Sequence, residues 1–482
     1  MKMKRTIRRG AAMLLAAIMA IGASGCQKAK EDEIVELTYL AYNNPQPEEE
    51  RVIAKVNEYL EEKIGVRVKW NTIAEYNTKT QMLFATGEEF DVCFTAHWAN
   101  FSENVDNGVF MPLDDLLKKE GKEIYEMTPD YMIDAAKVDG EIYALPVIKD
   151  VASQWAIRCK KELVDKYGLD VSGITSLEEL TPVFQKIKDN EPDFTVALMR
   201  GNNDWFRFLP FESVTGTKVG AFNLDDFGKV INQYETEEAK EFFKLMREWY
   251  KKGFVRSDAA TATSDSDIIA SDKWFAQYVG YLPLADVVPQ TTYEFIFGIN
   301  EPHLTTGNMM GAGFAISANS KHPEKAMEFI NIINTDKYLR NLIGLGIEGE
   351  HWIAVGDDQW KLPEGVAKKD DTGYNPIEYT YGNRFLMRVS ETQTVDKWDK
   401  YREFNDNAVK YPTVGFLFDA SSLTAEIAAI NEVYNKYAPS LLVGAVDPDE
   451  YLPKFIEALK VAGSEKVISE IQRQYDEWKK NN

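Results

Sequence analysis

Val35-Glu36-Leu37-Thr38-Tyr39, then Pro47-Glu48-Glu49-Glu50-Arg51-Val52-Ile53-Ala54-Lys55-Val56-Asn57-Glu58-Tyr59-Leu60-Glu61-Glu62-Lys63-Ile64-Gly65, then Val66-Arg67-Val68-Lys69-Trp70, is the stretch on which the fold turns. In the first piece apolar and polar residues alternate, the period-2 pattern of a half-buried strand. In the second, proline and three glutamates mark a first helical turn. Val52, Val56 and Leu60 form its buried stripe, and Gly65 ends it. The third piece is a second strand. A further helical run over residues 76–86 leads to an apolar strand over 90–94, giving β-α-β-α-β order. That order predicts a mainly parallel sheet covered by helices, an α/β fold.

Working toward the N-terminus, Lys2, Lys4, Arg5, Arg8 and Arg9 precede an apolar run over 11–21 and the small residues Ala23-Ser24-Gly25-Cys26. This is the layout of a secretory signal. The run is shorter than the roughly 20 apolar residues of a spanning helix. Ala23 to Cys26 resembles a bacterial lipobox, with Ala23 where leucine is usual, so residues 1–25 are expected to be removed, Cys26 lipidated, and 26–33 left as a polar tether. Removing 25 residues that hold five basic and no acidic side chains leaves 50 Lys and Arg against 77 Asp and Glu, a charge of about −27. Such a chain is a poor ligand for nucleic acid or anionic lipid.

Working toward the C-terminus, the α/β texture persists to about residue 350, with helices expected over 237–252 and 323–335. From Ser421 the chain reads as helical, with Leu423, Ile427, Ile430, Tyr434 and Tyr437 on one stripe and Val467, Ile471, Tyr475 and Trp478 on another, both expected to be core. A chain of this size with 44% hydrophobic residues should divide into two lobes. After Cys26 only Cys93 and Cys159 remain, too few for a disulfide framework.

Motifs for catalysis are sparse. Gly344-Leu345-Gly346-Ile347-Glu348-Gly349 has the letters of a dinucleotide fingerprint, but a helical pattern precedes it and β-like residues follow, so it reads as a turn. His97, His303, His322 and His351 are scattered singly, without zinc spacing, so neither metal nor cofactor is expected. The 10 Trp, 23 Tyr and 25 Phe are more informative. Aromatic faces pack on sugar C–H faces, and neighbouring polar groups pair with hydroxyls. His97-Trp98-Ala99-Asn100 follows a strand, where open α/β sheets place ligands. Asn202-Asn203-Asp204-Trp205-Phe206-Arg207 mixes the same two residue classes.

Three further segments carry a resemblance: Gly87-Glu88-Glu89-Phe90-Asp91-Val92, Gly108-Val109-Phe110-Met111-Pro112-Leu113-Asp114-Asp115-Leu116, and Val138-Asp139-Gly140-Glu141-Ile142-Tyr143-Ala144-Leu145-Pro146. With Gly311 to Ser317, the run Lys321-His322-Pro323-Glu324-Lys325-Ala326, and a C-terminal stretch containing Gly444-Ala445-Val446-Asp447-Pro448, the chain resembles the extracellular solute-binding proteins of carbohydrate ABC importers. Its last part is similar to a domain of unknown function that ends one mainly Gram-positive group of them. The resemblance implies a two-lobed periplasmic-binding-protein-like fold with a hinge, an interlobe cleft and a helical C-terminal segment. Lobe one is expected at 34–149 plus 312–355, and lobe two at 150–311 plus 356–482. It implies a monomer that delivers a small solute, an oligosaccharide, to membrane permease subunits. Implied cleft residues are His97, Trp98, Lys149, Asp150, Trp155, Trp205, Arg207 and Tyr281, with Tyr42, Asn43 and Trp352 as weaker candidates. Cys93 and Cys159 fall in different lobes and are expected to stay reduced thiols. A receptor for peptides or another solute, and a secreted glycan-degrading enzyme, are the competing readings.

Overall fold

A computed structural model describes residues 34–202, 204–281 and 292–481. The signal segment, Cys26 and the tether lie outside the described residues.

The opening stretch folds as read. The strand Val35–Tyr42 pairs in parallel with Val66–Ile73 along its whole length, and the helix Glu49–Ile64 crosses between them. Val52, Val56 and Leu60 are fully buried under that helix. Gly65 stops it in the left-handed region at φ 64°, where its N–H reaches the Glu61 carbonyl, a turn that a Cβ would strain. The first sheet runs 66–73, 35–42, 92–95, 313–316, 145–146, with 313–316 antiparallel to both of its neighbours, so one of its inner strands arrives from far along the chain.

The second sheet runs 293–296, 154–160, 274–281, 195–198. Helix Leu180–Asn190 seats Phe184 and Ile187 in the second core, and helix Glu237–Lys251 adds Phe242, Phe243, Met246 and Trp249. The Thr236 hydroxyl caps the latter by accepting from the Ala239 N–H at 3.2 Å. The helices Thr424–Leu442, Pro448–Val461 and Ser464–Asn481 close this lobe. They dock where Gly444, at φ 75°, lies so near helix 237–251 that an added Cβ would sit 2.1 Å from the Met246 carbonyl oxygen. Arg247 Nη1 clasps the same turn, donating to the carbonyls of Gly444 and Ala445 at 2.9 and 3.1 Å.

Two separate cores give two lobes, but the boundary differs from the expected one. Tyr374, Tyr381, Phe385, Met387, Trp398 and Tyr401 all bury in the first core, so the stretch after 355 stays with lobe one instead of joining lobe two. The reason is apolar surface on helices Pro323–Thr335 and Lys337–Leu345, together with Asn341, which brackets the segment: its Nδ2 donates to the Leu386 carbonyl at 3.0 Å and its Oδ1 accepts from the Arg388 N–H at 2.8 Å. The chain therefore crosses between lobes three times. The crossings touch in a small ribbon in which Ser153 bridges His303 and the pair His303–Leu304 runs parallel to Val409–Lys410.

Cys93 and Cys159 are free, buried, and in different cores. Gly344 lies in the last turn of helix Lys337–Leu345 and Gly346 caps it at φ 86°, so the glycine-rich hexapeptide is a helix terminus running into a turn. Among the described residues no helix is long and apolar enough to cross a membrane.

Candidate ligand cleft

The strand Val92–Thr95 ends in the short 3₁₀ turn His97–Ala99, which carries His97 and Trp98 out at the edge of the sheet. The His97 N–H donates to the Met310 carbonyl at 2.7 Å, and Trp98 Nε1 to that of Gly311 at 2.9 Å, so both hang on the second crossing. Trp98 is 41% exposed, with its ring edge-on to Tyr42 at 5.2 Å.

Between this turn and lobe two lies a cavity of about 530 Å³. His97 contributes from lobe one, Trp155, Arg207 and Glu212 from lobe two, Asn308 from the second crossing, and Thr413 and Tyr434 from the C-terminal segment. The Arg207 guanidinium stands 5.1 Å over the Trp155 ring while its Nε donates to Asp204 at 3.1 Å. Lys218 lies 4.9 Å over Tyr434. The volume is in the range that holds a small organic ligand. Two lining atoms, His97 Nδ1 and Gln233 Oε1, are buried without a protein partner, positions that a hydroxyl-rich ligand would satisfy.

Electrostatics tune two lining groups in opposite senses. Burial holds His97 down at about 4, keeping it neutral, and burial pushes Glu212 up to about 7 although the Thr413 hydroxyl donates to it. An acid whose pKa is raised on folding holds its proton longer in the folded state, so its share of stability falls as pH rises from 4.5 to 7. His97 acts in the other direction, its penalty growing as pH falls below 6.5. We therefore expect Glu212→Gln to gain on the order of 2 to 3 kcal/mol relative to wild type at pH 7.5, and little at pH 4.5. Ligand-free denaturant titrations at both pH values measure the difference. A gap independent of pH would remove the carboxyl from this role.

The sequence-derived residues divide. His97, Trp155 and Arg207 line the cavity, and Trp98 and Tyr42 stand beside it. Trp205 does not: it is 1% exposed, in the second core against Phe184, Phe208 and Trp249, because the 3₁₀ turn Asp204–Phe208 points its ring inward. Trp352 is likewise core, its Nε1 donating to the Gly346 carbonyl at 2.8 Å. Asn43 is buried and structural: its Nδ2 donates to the Tyr381 hydroxyl at 2.8 Å and its Oδ1 accepts from the Asn44 N–H. Asp150 is an ion-pair partner of Arg384, which also holds Glu378 at 2.5 Å. Lys149 donates to the Asp150 carbonyl at 3.1 Å and lies 6.0 Å over the Tyr379 ring. Tyr281 ends a strand opposite Gln154, and its side chain lies outside the described residues. Glu212, Thr413 and Tyr434 were not anticipated. Tyr434 was visible only as a member of a core-like stripe, and the other two carry no local signal.

The model of the bacterial extracellular solute-binding protein family matches residues 44–339, and a curated relative from Streptococcus pneumoniae, a carbohydrate ABC transporter substrate-binding protein, is 31% identical over 90% of this chain and 88% of its own. The chain belongs to this family. Residues 412–480 of this solute-binding protein match a domain of unknown function, DUF3502, the segment that supplies Thr413 and Tyr434 to the cavity. Among solved structures, an N-glycan transport solute-binding protein from S. pneumoniae superposes with a TM-score of 0.82 at 28% identity, covering 93% of this chain and 99% of that one. The same protein in complex with Man1GlcNAc or Man5GlcNAc superposes at 0.71 and 0.69, again at 28% identity.

Proposed function

We propose that this solute-binding protein captures an oligosaccharide of the N-glycan type and hands it to the permease of an ABC importer. The observation that carries the reading is the cleft: unpaired polar atoms beside exposed aromatic rings, on a chain resembling an N-glycan transport protein over nearly its whole length. The drop in TM-score at unchanged identity supports lobe movement, since a rearrangement on ligand binding produces that signature. A ligand touching both lobes gains its second set of contacts on closure and so favours the closed state.

Thermal shift and calorimetry with Man1GlcNAc, Man5GlcNAc, other oligosaccharides and peptides test the reading. A ligand at a hundred times its Kd adds about 2.7 kcal/mol of apparent stability. A response to peptides and to no glycan would overturn it, and release of reducing sugar would make the protein an enzyme. Trp98→Ala should weaken glycan binding by about 2 kcal/mol, roughly thirtyfold, with the ligand-free melting temperature nearly unchanged.

The anchor belongs to the same proposal: Cys26 carries the lipid and 26–33 the tether. Cys26→Ala should release the protein to the medium or leave it uncleaved, and membrane association of a variant that is still processed would refute lipidation.

A further inference from the structure

We infer that Tyr379, with Tyr42 and Trp98, forms a second sugar subsite on lobe one, outside the cavity, that takes the distal units of a longer glycan. This rests on the oligosaccharide reading above.

Tyr379 is 37% exposed and Trp98 41%, and the half-buried Tyr42 joins them. Trp98 packs one side on Tyr42 and Phe94 and leaves the rest of its ring to solvent, and a partly open aromatic face is the surface on which a sugar ring stacks. Tyr42 touches Trp98 at 5.2 Å between ring centroids, and Thr380 Oγ1 donates to the Tyr42 carbonyl at 3.3 Å, placing residue 379 next to that strand end. Lys149 Nζ, 6.0 Å over the Tyr379 ring, supplies a donor for sugar hydroxyls. Trp98 directly follows His97 in the chain, so the patch begins where the cavity ends.

Much of the local framework exists to hold this patch. The Glu378 carbonyl accepts from buried Arg340, the Glu378 carboxylate pairs with Arg384, and Arg384 is fixed in turn by Asp150. Asn43 Oδ1 accepts from the Ile377 N–H at 3.4 Å. Asn43 and Asp150 thus act at one remove, as positioning residues for the segment that carries Tyr379. A ring so anchored at its backbone, yet partly open to solvent, is preorganised for stacking.

Calorimetry on wild type, Tyr379→Ala and Tyr379→Phe, with Man1GlcNAc and Man5GlcNAc as probes, tests this. The expected result is an affinity loss of about tenfold for Man5GlcNAc on Tyr379→Ala, less than about twofold for Man1GlcNAc, and near wild-type values for Tyr379→Phe. If Tyr379→Ala fails to fold, Tyr379→Leu keeps the bulk without the stacking face and should show the same length-dependent loss. An equal loss on both glycans, no loss on either, or a wild type that binds Man5GlcNAc no tighter than Man1GlcNAc overturns the subsite and leaves the oligosaccharide reading standing. A wild type that binds neither glycan, nor any other, overturns both.

Discussion

Trp205→Ala is expected to lower the stability of the ligand-free protein by about 3 to 5 kcal/mol, the cost of removing a large aromatic from a packed core. The indole sits among Phe184, Phe208 and Trp249 at centroid distances of 6.2, 6.1 and 5.8 Å, and its Nε1 donates to the Leu198 carbonyl at 3.3 Å. Nothing nearby is loose enough to fill the void, since Phe184 already packs on Trp249, Phe254 and Phe275. Denaturant unfolding checks the loss, and glycan affinity of the folded variant should change by less than about threefold. The opposite pattern, normal stability with weakened binding, would return Trp205 to the cleft. Comparing it with Trp98→Ala separates a tryptophan that holds the lobe together from one that meets the ligand.

Arg384→Met should be equally damaging, by about 3 to 5 kcal/mol at neutral pH, because it leaves two carboxylates without their cation. Asp150 and Glu378 converge on one guanidinium; Arg384 and Asp150 are largely withdrawn from solvent, and Glu378 is about two thirds so. Burial alone would raise the Glu378 pKa, yet the Arg384 charge and hydrogen bond, with the charges of Arg340 and Lys397, together hold the carboxyl below its ordinary value. A depressed acid contributes stability above its unfolded pKa and loses it as pH falls through the folded one. In the variant the balance tips the other way: with the Arg384 cation gone, burial raises the Glu378 carboxyl, so acid should relieve it and the deficit should shrink toward pH 4. Urea titrations at pH 7.5 and 4.5 measure this. The triple change Arg384→Met, Asp150→Asn, Glu378→Gln should recover much of the loss, and a deficit independent of pH and of that rescue would show that the network is not what holds the segment.

Elements with local causes were legible in the sequence. The stripe Val52, Val56, Leu60 with Gly65 behind it, and Pro323 opening a helix, are set by neighbours within a few residues. What failed depends on direction or distance. A tryptophan among Asn202, Asp204 and Arg207 looks like a binding residue, but whether its ring turns outward is decided by a 3₁₀ turn and by partners up to forty-odd residues away, such as Trp249. Asp150 and Asn43 are expected from the sequence as cleft residues, but the structure ties them to Arg384 and Tyr381, which lie 234 and 338 residues on. The lobe assignment of 356–401 failed for the same reason, since that stretch has no periodicity and is placed by Asn341 and by apolar helix faces.

The three crossings also fix an order of assembly. A chain that emerges N-terminus first can complete its second sheet, 154–160, 195–198, 274–281 and 293–296, before the first receives the strand Gly313–Ile316 that joins 92–95 to 145–146. Until then the lobe that begins the sequence exposes two apolar strand edges, the condition under which partly folded chains aggregate or recruit chaperones. Slow closure is a further consequence, because the pairings of residue 314 with 94 and 145 span loops of well over a hundred residues. The segment longest exposed to quality control is therefore the opening one, and it stays so until about two thirds of the chain has emerged.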